Sequence, residues 1–426
     1  MGEWAVEQAR NPTTSGWIMN DPGAVPNRSR YDVIIAGARC AGASTAMLLT
    51  RAGMRVLVVE PTRRGSDTLS THALMRGGVQ QLHRWGILDD VRASGAPAIR
   101  LVTFHYGDEE IPIALEPTEG VDALYAPRRT VLDELLAREA EAAGAEVRHG
   151  LSVANLLRDS TGRVRGASLS GAGLTTTDVE ANLVIGADGI RSRVARIVNA
   201  EVQHSLPHAS AAVYGYVRDP GLEGYHWYYG DGASVGTIPS NDGEACVFVS
   251  VPQARFQSQL SLGWSELHAT VLREVSQDLA ERVAAAGGPG KLRAFAGVPG
   301  FLRRAAGPGW ALVGDAGYFR DPITAHGITD ALRDSEFLAQ AVLRGDEIAI
   351  ARYAEDRYAR VREFFEITDR IASFDWTMDQ VKLEHRRLSK AMKKLADTQQ
   401  EFASWKSGPQ GMSARVPAAF ESGAVA

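Results

Sequence analysis

The chain is short of the groups that would cross-link it or hold a metal. Only two cysteines, Cys40 and Cys246, occur in 426 residues. That argues against a disulfide framework or a thiolate cluster and fits a reducing cytoplasm. No uninterrupted apolar run reaches bilayer-spanning length, so no transmembrane segment is expected. Residues 1–30 lack the basic-then-apolar layout of a secretion signal. Rich in Pro, Gly and Asn, they read as a flexible lead-in. Neither charge sign dominates: the net charge is −5, which gives no reason to expect a nucleic-acid partner. The 10 histidines and the scattered acids show no metal-ligand spacing, so no metal is expected. Internal repeats are absent. What remains is an ordinary globular composition, long enough for two or three subdomains.

The organising stretch is Asp32 to Glu60, DVIIAGARCAGASTAMLLTRAGMRVLVVE. Val33 to Ala36 suit a buried parallel strand, Gly37 and Gly42 bracket a tight turn, and the small residues Ala43 to Ala46 suit a helix packed close on that strand. Gly53 fits the end of this helix. Glu60 closes a second strand at a distance suited to ribose hydroxyls, while helix-start N–H groups meet a pyrophosphate. Arg39 stands where the usual second glycine would be. Its guanidinium either folds over the phosphates or points to solvent.

Further along, Ile99–Ala114 reads as a hairpin turned at Gly107 and Asp108. The stretch YAPRRTVLDELLAREAEAAGAEVRHG reads as an amphipathic helix ended by Gly144. Residues 208–251 alternate like antiparallel strands, and helices continue to about Ala396. Strand–loop–helix text flanks this insert on both sides. One nucleotide-binding domain built from separated segments, with a second sheet placed over it, accounts for the order.

Two more stretches carry chemistry. Gly186-Ala187-Asp188-Gly189-Ile190-Arg191-Ser192-Arg193 follows a buried strand, and Ser192 is placed to cap the next helix. Gly314-Asp315-Ala316, then Pro322, then Gly327 place a carboxylate at a strand end before a glycine-opened helix N-terminus. With the first loop, these motifs resemble, in order and spacing, the FAD-dependent monooxygenases of the para-hydroxybenzoate hydroxylase fold. Flavin-dependent halogenases and geranylgeranyl reductases are relatives on that fold. The resemblance covers roughly Tyr31 to Gly345.

It implies an α/β fold: a Rossmann-like FAD-binding domain (GR2/PHBH-type) over residues 31–96, 122–202 and 296–345. An inserted antiparallel substrate-binding sheet takes 97–121 and 203–295, C-terminal helices take 346–398, and 399–426 form a disordered tail. It also implies FAD contacts from Gly37, Arg39, Gly42, Glu60, Arg129, Asp188, Gly189, Gly314, Asp315, Pro322 and Gly327. NADPH or NADH would be a transient reductant and O₂ the co-substrate, giving hydroxylation or epoxidation of an aromatic or polycyclic small molecule through a flavin C4a-hydroperoxide.

Candidate proton-handling groups are His72, Tyr318 and His326. Tyr214, Tyr216, Trp227 and Tyr229 fall on strands, each pair sharing a face, and suit a wall for a planar substrate. The Asp321-Pro322 pair looks more like the halogenases and reductases, so an FAD-dependent C=C reductase is the alternative. The halogenases' WxWxIP stretch is missing, and no lysine lies between Glu60 and Gly95.

Overall fold

The computed structural model describes residues 31–118, 120–173 and 175–402. The lead-in expected at 1–30 lies outside them, as do residues 403–426 of the expected tail. β1 (Tyr31–Ala36), α1 (Cys40–Arg51) and β2 (Val56–Glu60) form the expected βαβ unit, with Val33 opposite Val56 in parallel register. Every residue of β2 is buried, as a strand covered on both faces must be. Ala43 and Ala46 are almost inaccessible, so the helix axis lies close to its neighbours. Gly53, at φ +90°, ends α1 as expected.

α2 (Arg76–Arg84) precedes the hairpin β3 (Leu101–Tyr106) and β4 (Glu109–Ala114). α3 (Arg129–Ala142) leads to β5 (Glu146–His149), parallel to β2. The ribbon β6 (Leu151–Arg158) and β7 (Val164–Gly171) runs into β8 (Thr177–Gly186). One half of β8 pairs with β7 and the other runs parallel to β1. The insert contributes β9 (Ser210–Arg218), β10 (Tyr225–Gly230), β11 (Ala233–Pro239), β12 (Glu244–Pro252) and β13 (Arg293–Phe295). The chain then returns as β14 (Trp310–Leu312), parallel to β8, completing the order β14-β8-β1-β2-β5.

The second sheet has the order β13-β9-β12-β11-β10-β3-β4. Its long-range join is parallel: β10 lies beside β3, with Trp227 opposite Phe104 and Tyr229 opposite Tyr106. One face, with Val213, Val217 and Tyr228, is covered by the helices Trp264–Val275 and Gln277–Ala285. The other face sends Tyr214, Trp227, Tyr229 and Phe248 into the core shared with α1 and α2.

Three helices close the structure: α4 (Gly327–Leu343), α5 (Glu347–Ala372) and α6 (Met378–Phe402). α4 is wedged against α1, α2 and α5, so its charged residues Asp330, Arg333 and Asp334 are buried and must be paired. Asp334 meets Arg357 at 3.2 Å, and Asp330 meets Arg320 and Arg333. α6 runs to Phe402, past residue 398, where the helices were expected to end. The Gln and Glu of that segment are good enough helix formers to extend a helix already begun.

Candidate flavin site and the aromatic face above it

The three motifs converge on the start of α1. Gly37 has φ +107°, and a Cβ there would lie 2.4 Å from the Ala187 carbonyl oxygen, in the second motif. A Cβ on Gly42 would lie 1.8 Å from the Gly37 oxygen, so only glycine fits. A Cβ on Gly314, at φ +57° in the third motif, would lie 2.9 Å from the Ala41 side chain, and Ser335 Oγ donates to the Ala41 carbonyl at 2.9 Å. The N-terminus of α1 has no side-chain cap, which leaves its first N–H groups for an anion.

Arg39 is half-buried and does not point out to solvent. It lies 3.8 Å from Asp133, with Nη1 buried and without a hydrogen bond. Asp133 also receives Arg129 at 2.9 and 3.0 Å and the Cys40 thiol at 3.2 Å. Asp133 gathers the basic side chains beside the phosphate loop. It was not singled out in the sequence, although its i+4 spacing from Arg129 was there to be read.

The carboxylates divide their work. Glu60 is buried and accepts from the Ala38 N–H at 3.0 Å and from Thr62 N–H and Oγ at 3.0 and 2.6 Å, so it braces the loop. Asp188 accepts from Ser192 Oγ and from the N–H groups of Arg193 and Val194, while Ser192 caps Ala195 as expected. Asp188 therefore shapes a helix start, and Gly189 beside it has φ +73° with open space around it. Burial pushes the Asp315 carboxyl up to about 7, reinforced by Asp330 and Asp334 and opposed by Arg129.

Pro322 is exposed and opens a short 3₁₀ turn. Asp321 caps that turn through the Ile323 N–H at 2.9 Å and also accepts from Ser210 N–H and Oγ, both at 2.6 Å. This single carboxylate ties the loop to the first residue of β9. Gly327 is exposed, nothing would meet a Cβ there, and α4 begins without a side-chain cap. Open space before an uncapped helix start fits the electron-rich edge of a flavin ring.

On the sheet, the aromatic residues fall into two groups. Ser70 N–H donates to Tyr214 Oη at 3.0 Å, and His72 Nε2 is hydrogen-bonded to Tyr216 Oη, so the Ser70–His72 loop docks on β9. His72 has φ +68°, is buried, and its Nδ1 has no partner. Burial, then the positive field of Arg129, Arg128 and Arg293, drives its pKa down to about 3, so the ring is neutral. Arg128, also unforeseen, lies 3.1 Å over the Tyr216 ring and is ion-paired with Glu244.

Trp227 and Tyr229 are buried instead against Phe104 and Tyr106 across the parallel join, and His385 of α6 sits 4.6 Å from Tyr229. Neither of the other two proton-handling candidates lies beside His72. Tyr318 packs with Leu302, Val361 and Phe365 under α5, and His326 turns Nδ1 to the Thr324 carbonyl and its ring edge to Phe364.

His72, His326 and His385 are each lowered to about 3, chiefly by burial, so between pH 6.5 and 3 the unfolded chain binds three protons that the folded chain refuses. Each removes up to about 1.4 kcal/mol of stability per pH unit as the pH falls. Asp315 and Asp321, raised to about 7 and about 6, work in the opposite sense by taking protons first in the folded state. His105, His226 and His268, also lowered, act with the three histidines, and Asp334 and Glu336, also raised, with the two acids, so six groups against four leave a net loss on acidification. His385→Phe removes one of the three, so its melting temperature should fall less than that of the parent protein between pH 6.5 and 4, measured by thermal melts across that range.

Residues 30–368 match the FAD binding domain family, and the chain belongs to it. It is an FAD-dependent oxidoreductase with the expected α/β architecture. The digeranylgeranylglycerophospholipid reductase of Methanothrix thermoacetophila is 26% identical over 327 residues, covering 74% of this chain and 80% of that protein. The menaquinone reductase of Mycolicibacterium smegmatis is 27% identical over 341 residues, covering 74% and 77%. PqsL of Pseudomonas aeruginosa, described as a probable FAD-dependent monooxygenase, shares the fold with a TM-score of 0.70 at 23% identity, covering 86% of this chain and 100% of that one.

Proposed function

We propose that this enzyme is a monooxygenase that hydroxylates a planar aromatic or polycyclic small molecule, with NADPH or NADH as transient reductant and O₂ as co-substrate. FAD, when bound, supplies the oxygen activation. Gly37, Arg39, Gly42 and Arg129 would hold its ADP half, with Glu60 keeping the loop in shape. Asp315 would meet the ribityl chain and Pro322 and Gly327 the ring edge. Asp188 and Gly189 would contribute through the turn they form.

The observation that carries the reading is the contact between the Ser70–His72 loop and Tyr214 and Tyr216 on the sheet that Asp321 ties to the flavin loop. It puts a neutral imidazole behind a phenol hydroxyl on an aromatic face. Such a pair can hydrogen-bond a substrate hydroxyl and orient it; with its pKa at about 3 the imidazole accepts a hydrogen bond and does not keep a proton. His72 is buried and Tyr216 half-buried, which limits bulk water on that path. PqsL, whose whole chain shares its fold with 86% of this one, supports the same reading.

The sequence relatives support a second reading, an FAD-dependent reductase of C=C bonds. The test is substrate-dependent NAD(P)H oxidation with a panel of aromatics under ¹⁸O₂. Incorporation of one labelled oxygen is the expected result. Turnover that continues without oxygen, giving a product richer by two hydrogens, would replace this reading with the reductase. We place the enzyme in the cytoplasm, on its two free, buried cysteines. No described helix is long and apolar enough to cross a membrane.

A further inference from the structure

At the far end of α4 from the flavin loop, the two facing stripes of α4 and α5 line a small cleft of about 30 Å³, open to solvent on one side. Gln340 and Arg344 lie one turn apart on α4; Arg352, Asp356 and Arg360 are spaced by single turns on α5. The lining residues Phe337 to Arg344 lie 10 to 17 positions beyond Gly327, so at ~1.5 Å each the pocket is about 15–25 Å from it.

Three guanidinium groups share this pocket with one carboxylate. Asp356 is 3.9 Å from Arg360, so its charge is already committed. Among the described residues neither Arg344 nor Arg352 has an ion-pair partner. Arg360 is held 4.5 Å over the Phe337 ring, and its pKa is lowered, first by burial, with Arg333 and Arg344 adding like-charge repulsion. The Nε2 of Gln340 is buried without an acceptor. Arginines near the last turn of α4 would serve its dipole, but Arg352 and Arg360 belong to α5, whose own N-terminus is already capped by Asp346.

We propose that this pocket is a second binding site, for a small multiply charged oxyanion of the phosphomonoester class. Guanidinium forks match phosphate oxygens two at a time. The Gln340 amide supplies a neutral donor. The site is separate from the flavin loop and does not depend on which reaction the enzyme runs.

The test uses FAD-loaded enzyme, in which the flavin already fills the loop at α1. Thermal melts are followed at constant ionic strength against inorganic phosphate, adenosine 2′-monophosphate and sodium chloride. A saturable rise in melting temperature with phosphate, absent with chloride, is expected. Arg344→Glu with Arg352→Glu should weaken it at least tenfold while flavin content stays unchanged; both side chains are exposed, so the fold should tolerate them. Tenfold tighter binding of adenosine 2′-monophosphate would identify a nucleotide 2′-phosphate as the natural source. Equal affinity would point to a simpler phosphorylated molecule. Equal shifts with chloride, or an unchanged phosphate response in the double variant, would overturn the proposal.

Discussion

Gly42→Ala should produce a protein that cannot keep FAD. The added methyl would sit 1.8 Å from the Gly37 carbonyl oxygen, which is backbone and cannot rotate away. Gly37 cannot retreat either, because it is pressed against Ala187. The loop must open, and with it go the aligned N–H groups at the start of α1. We expect flavin content below a tenth of the parent's, read from the ratio of visible to ultraviolet absorbance. The strain should cost the upper end of the ~1–3 kcal/mol typical of overpacked sites. Loss of FAD removes its linked stabilisation as well. A variant that purifies with full flavin would show that the loop does not form the site.

Tyr216→Phe should leave the flavin in place and lower kcat by about 10-fold, the ~1.4 kcal/mol of one orienting hydrogen bond to the substrate. The ring, its stacking under Arg128 and its place on β9 all survive; only the hydroxyl goes. KM should change little if Tyr216 orients the substrate and adds little to its binding. His72→Asn should give a similar loss. Asparagine is the right replacement, because position 72 has φ +68° and asparagine tolerates the left-handed region, whereas alanine would add backbone strain. Since His72 loses its charge only near pH 3, the parent kcat should show no step from this residue between pH 6 and 8. A Tyr216→Phe enzyme with parent-like kcat in steady-state assays would remove the pair from the mechanism.

The positions of the arginines show why some of this site was invisible in one dimension. Arg129 is recognisable because it opens an amphipathic helix after a fixed motif. Its neighbour Arg128 carries no such pattern. Its importance comes from Glu244, 116 residues away, and from the Tyr216 ring it covers. Similarly, Trp227 and Tyr229 alternate as a pocket wall should, yet alternation fixes only a face. Their burial against Phe104 and Tyr106 follows from the parallel pairing of β10 with β3, a long-range choice made by packing.

The sequence by itself determined the βαβ unit, the glycine turns that admit no side chain, the order of the three FAD motifs and the existence of a strand-rich insert. Those features depend on local periodicity and on backbone angles that few residues can adopt. Tertiary structure alone decided which side chains work together. His72 reaches Tyr216 across 144 residues, and Asp321 reaches Ser210 across 111. Asp133 collects Arg39, Arg129 and Cys40, and three arginines from two helices meet in one pocket. These pairings depend on how the helices and the second sheet pack over the first, and desolvation then fixes their protonation. Spacing along the chain encodes only the same-helix steps, such as Arg129 to Asp133.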